Sequence, residues 1–123
     1  MFKRIAAIVL LGTGAQADEG SIFGLYDHFA IAQVVGEACT GPSLEQATAF
    51  MDKFKALGEL AEAEAITENP DLTEHSFQQF SARRRHSLQA GAQQFLATEG
   101  CDHAEAKALA AKYAEFREME LPE

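Results

Sequence analysis

Beyond residue 20, apolar residues return every three or four positions and rarely alternate, the period of helices that bury one face. Over residues 22–38, Ile22, Leu25, Tyr26, Phe29, Ala32 and Val35 keep that spacing. Cys39-Thr40-Gly41-Pro42 ends the run, since neither glycine nor proline continues a helix cheaply. Ser43 opens a second helix as an N-cap, with Gln46 three residues on completing a capping box. Ala47, Phe50, Met51, Phe54, Leu57, Gly58, Ala61 and Ala65 give its apolar face before Asn69-Pro70-Asp71 interrupts.

A third helix starts from Asp71 or Thr73 and carries Phe77, Phe80, Arg84, Leu88, Ala92 and Phe95. Gly100 suits the left-handed position just past its end. Asp102, with Glu105 after it, marks the N-cap of a fourth helix. That helix bears Ala106, Leu109, Tyr113 and Phe116 and stops at Leu121-Pro122. With no strand-like alternation, internal repeat or long linker, the expected fold is all-α. It is a small antiparallel, up-down bundle of about four helices in one domain, residues 18–123.

The connections are short, so successive helices alternate in direction. Cys39, ending the first helix, and Cys101, ending the third, then lie at the same end of the bundle, where a bridge can form. Closing a loop of that length is worth about 4 kcal/mol by chain entropy. Folding the helices over also sets Gly58 opposite Ala82 and Gly91 opposite Ala111. Close helix approach is one reason to keep glycine there; an exposed, neutral position is the other.

Residues 1–17 differ from the rest. Lys3 and Arg4 precede an apolar run from 5 to 11, and Ala15-Gln16-Ala17 forms a small-x-small site, the three parts of a cleavable signal peptide. The run is too short to span a bilayer, which takes roughly 20 apolar residues. Cleavage starts the mature chain at Asp18 and takes the formal charge from −9 to −11, because Lys3 and Arg4 are lost with it. An exported, acidic domain with no membrane span follows, periplasmic or secreted, in a compartment that keeps the cysteines oxidised. Its charge repels nucleic acid and anionic lipid.

The sequence carries no pattern that commits it to catalysis. His28, His75, His86 and His103 form no His-x-x-x-His or His-Glu-x-x-His ligand pair. Ser21, Ser43, Ser76, Ser81 and Ser87 lie in neither Gly-x-Ser-x-Gly nor Ser-x-x-Lys. The cysteines are too far apart in sequence for a Cys-x-x-Cys redox or haem site. No catalytic, cofactor or metal residue is therefore assigned, and the expected role is non-enzymatic.

Arg83-Arg84-Arg85-His86 stands out in so acidic a chain. Arg84 falls on the Phe77, Phe80, Leu88 stripe, where its stem can cover core while its head reaches a carboxylate. Folding the fourth helix onto the third offers Glu115, Glu118 and Glu120, with Glu59 from the second. The alternative role is a partner patch of Arg83, Arg85 and His86, since guanidinium forks recognise carboxylate or phosphate. The expected function is an interaction protein of the envelope with a protein partner: an inhibitor, immunity-type binder, accessory subunit or chaperone, the last of which acid could open. A carrier of a small ligand or metal, using the bundle interior or the histidines, is the alternative.

Overall fold

Each helix begins where the sequence supplies a capping side chain, and among the described residues the caps fix four helices: α1 (Ile22–Thr40), α2 (Leu44–Glu68), α3 (Glu74–Glu99) and α4 (Ala104–Glu118). The computed structural model describes residues 21–121; the segment 1–17, expected to be a signal peptide, and its cleavage site lie outside the described residues. Ser21 Oγ accepts from the Gly24 amide, and Thr73 Oγ1 from the Ser76 amide. At α2 the box is reciprocal: Ser43 Oγ accepts from Gln46 N, and Gln46 Oε1 from Ser43 N.

The fourth cap differs from the expected Asp102. His103 fills the position, its Nδ1 accepting from the Glu105 amide at 3.0 Å. Its ring packs edge-on against Phe95 of α3, 5.2 Å between centroids, which holds the nitrogen over the first turn. Asp102 is left exposed in the turn.

The helices form the expected antiparallel bundle, with no strand among the described residues. α1 packs on all three others, most extensively on α4, and α2 touches both α3 and α4. α3 and α4, although consecutive, scarcely touch, because α1 and α2 lie between them. That arrangement separates Gly91 from Ala111: Gly91 is exposed, and a methyl there would meet nothing. At Gly58 a methyl would come to 3.4 Å from the ring of Tyr26 on α1, so tyrosine, not Ala82, lies over that glycine.

The core has two layers. Near the disulfide, Ile31, Val35, Ala92, Phe95 and Ala106 pack together beside Cys39. Away from it, Phe29, Phe50, Phe54, Leu57, Tyr113 and Phe116 form an aromatic layer in which Phe29 stacks on Phe116 at 4.3 Å and Phe50 on Tyr113 at 4.5 Å. Such pairs add to area burial and favour a single packing arrangement. The Cys39–Cys101 bridge closes the upper end across a Cα separation of 5.6 Å. Among the described residues no helix is long and apolar enough to cross a membrane.

Candidate functional site

Helix lengths decide where the bundle is open. α2 and α3 have 25 and 26 residues, against 19 for α1 and 15 for α4. At 1.5 Å per residue, the α2–α3 hairpin outruns α1 by roughly 9 Å. α1 and α3 end, and α2 and α4 begin, within a few residues of the Cys39–Cys101 bridge, so the excess falls at the opposite end. A cleft of about 500 Å³ lies there, between the first turns of α1, the last turns of α2 and the start of α3.

Its walls are mainly apolar: Phe23, Tyr26, Ala61, Ala65, Leu72 and Phe77. Phe80 stands at the same cleft and is 54 % exposed, more open than any other large hydrophobic residue among the described residues except Leu44. The expected α3 stripe is thus buried only in its second half, at Ala92 and Phe95. Phe77 and Phe80 face the cleft because neither α1 nor α4 reaches far enough to cover them. Their helical spacing alone predicts a place on the core stripe.

Arg84 and Asp27 close one side. Asp27 Oδ1 and Oδ2 accept from Arg84 Nε at 2.9 and 3.1 Å, and Oδ2 also accepts from Nη2 at 2.7 Å. This fork replaces the expected pairing with the α4 glutamates: α4 is not beside α3, and Glu115 instead binds Lys112 at 3.2 Å. The neighbouring residues follow the same parallel register between α1 and α3. Arg85 Nη1 donates to the Tyr26 hydroxyl at 3.1 Å, and Gln89 donates to the Ala30 carbonyl and to Gln33 Oε1.

The residues of the alternative patch, Arg83, Arg85 and His86, differ in exposure. Arg83 and His86 are exposed, while Arg85 is half-buried and turned onto α1. The histidines are likewise dispersed: His28 is half-buried in α1, and His75, His86 and His103 are exposed. Among the described residues no three His, Cys, Asp or Glu side chains could hold a metal ion together.

Proton affinity is shifted at Glu68 and at Tyr113. Glu68, in the cleft, is raised above the ordinary carboxyl value, first by hydrogen bonding with Glu64, then by desolvation and by the Glu64 charge. Tyr113, in the core, is raised by burial and by the charge of Glu37, with Arg117 opposing both.

Searches of protein-family models, curated proteins and solved structures find no match to this chain. Its function is therefore argued from the site alone. The cleft has apolar walls, one bidentate ion pair and the carboxylate of Glu68. That chemistry is suited to binding.

Proposed function

We propose that the chain is a non-enzymatic interaction protein of an exported compartment, periplasmic or secreted, which holds a protein partner at the α1–α2–α3 cleft. The observation that carries the reading is the open cleft with Phe80 beside it. A large aromatic residue next to an apolar hollow is the kind of feature on which interface energy concentrates. The Cys39–Cys101 bridge supports the compartment, since such bridges persist where thiols are kept oxidised. The signal-like pattern of residues 1–17 supports it independently.

The test is site-specific photo-crosslinking in the native host. A photoreactive residue at position 80 should give a discrete adduct, and the same probe at exposed Ala111 on α4 should not. Adducts of equal yield at both positions would count against the cleft.

A carrier of a small ligand is the second reading, favoured by the cleft volume of about 500 Å³, which lies within the usual range for small-molecule sites. Native mass spectrometry of protein from its host would then show a bound small mass that Ala65→Trp, filling the cleft, removes.

A further inference from the structure

We infer that the partner segment is basic and amphipathic: its apolar side chains enter the cleft while its lysines or arginines meet the carboxylates of the α2–α3 tip. The inference rests on the proposed binding role of the cleft and specifies what that role recognises.

The argument is charge complementarity at an apolar hollow. Between residues 56 and 82 there is no lysine or arginine, whereas Glu59, Glu62, Glu64, Glu68, Asp71 and Glu74 all fall there. This stretch runs from the core layer at Leu57 around the α2–α3 turn and includes the part of the hairpin that outruns α1. Among the described residues none of the six carboxylates lies within salt-bridge distance of a cation. Gln78, a neutral amide, donates to both Glu62 at 3.3 Å and Glu74 at 3.4 Å. Glu64 and Glu68 stand close enough to perturb each other, and Glu68 lines the cleft itself. Of the arginines on α3, Arg84 lines the cleft but forks onto Asp27, Arg85 donates to Tyr26, and Arg83 is exposed.

A cationic side chain placed beside Glu64 and Glu68 would relieve their mutual repulsion, and the gain is largest where apolar contact already holds the segment and excludes water. The cleft also exceeds one side chain in volume. It fits a helical segment that presents apolar residues at i, i+3 and i+4. An acidic segment would find the same walls but meet the like charge of Glu68 in the cleft lining and the acidic surroundings of the hairpin.

The experiment uses the disulfide-bonded chain from residue 18 onward and two synthetic 14-residue amphipathic helices with one leucine pattern. One carries lysine on its polar face and the other glutamate. Titration by fluorescence anisotropy should show the lysine peptide binding at least tenfold more tightly than the glutamate peptide. Because any cation is drawn to so acidic a chain, the deciding variant is Ala65→Trp, which fills the cleft without changing charge. It should weaken the lysine peptide at least tenfold, and Glu68→Lys should weaken it several-fold, most at low salt. Equal binding to Ala65→Trp and wild type would reduce the effect to general charge attraction and overturn the inference. Tighter, Ala65-dependent binding of the glutamate peptide would keep the cleft as the binding site but reverse the charge of its partner. If neither peptide binds while dodecylamine or dodecanoate does, and Ala65→Trp abolishes that, the protein-binding reading falls with the inference and the carrier reading replaces both.

Discussion

Gly36 of α1 backs directly onto Tyr113 of α4. A Cβ on the glycine would lie 2.0 Å from Cγ of the tyrosine, 2.4 Å from its Cβ and 2.5 Å from Cδ1. These atoms are the root of the side chain, which cannot swing aside as a flexible tip could. The absence of a side chain at Gly36 therefore sets how closely the two helices approach. Gly36→Ala should destabilise the fold by about 3 kcal/mol, since relieving the overlap means separating α1 from α4 or breaking the Phe50–Tyr113 stack. Urea unfolding at neutral pH checks this, and a midpoint equal to wild type would show that the helices can separate cheaply.

The same tyrosine makes a prediction of opposite sign. Its hydroxyl is buried and, among the described residues, has no hydrogen-bond partner, while the Arg117 guanidinium lies 5.2 Å from the ring centre. Tyr113→Phe keeps the stack and removes an unpaired polar atom, so it should leave neutral-pH stability unchanged or raise it by up to about 1 kcal/mol.

Alkali should separate the two proteins. Burial holds the Tyr113 hydroxyl above its ordinary value, so the folded state favours the protonated form. That preference contributes fully below the unfolded value of about 10 and is lost as pH rises through the higher folded value, because the unfolded chain releases its proton first. Wild type should therefore lose stability above about pH 10 more steeply than Tyr113→Phe. Parallel unfolding curves for the two would remove Tyr113 as the cause.

Much of this architecture was legible in the sequence because it depends on local signals. Ser43 with Gln46, Gly41-Pro42 and Asn69-Pro70 punctuate the helices without help from tertiary structure, and Cys39 and Cys101 report a shared end. What was not legible is which helices are neighbours. An up-down order alone allows α4 to lie against α3, and on that assumption Arg84 was assigned to Glu115, Glu118 and Glu120. One signal was available: a Cys39–Cys101 bridge fixes the parallel register of α1 and α3. Residues 27 and 84 are 57 apart, and the same spacing from Cys39 reaches Leu96, about one turn short of Cys101. Asp27 could have been found that way. The cleft needed a second step, comparing helix lengths, because Phe77 and Phe80 have the periodicity of core residues and only the missing cover distinguishes them.

The Arg84–Asp27 fork should contribute modestly. The arginine side chain is 51 % exposed and the aspartate 18 %, so water and salt screen much of the attraction. A double-mutant cycle with Arg84→Ala and Asp27→Ala should give a coupling of about 0.5–1 kcal/mol at low salt, falling toward zero in molar salt. Arg83→Ala, on an exposed position, should change stability by less than about 0.5 kcal/mol. A coupling of several kcal/mol that resists salt would mean that the pair is held away from water.

The bridge should matter to the unfolded chain more than to the folded one. Cys39 and Cys101 are 62 positions apart, and the link removes a large share of the conformations otherwise open to the unfolded chain, worth about 4 kcal/mol at most. The folded bundle does not need the link to choose its helices, because every cap is local and both core layers lie within the bundle. The reduced protein should keep the far-ultraviolet helical signature of the oxidised form at low temperature and melt markedly earlier. The double variant Cys39→Ala, Cys101→Ala should behave in the same way, which separates loss of the link from effects of the reductant. Protein recovered from its host should contain no titratable thiol when folded and should begin at Asp18. Two free thiols on a folded, exported chain would exclude the bridge in that compartment. If helicity at low temperature also collapsed on reduction, the bridge would be holding the folded bundle together, and the upper core layer around Val35 and Phe95 would be weaker than its packing implies.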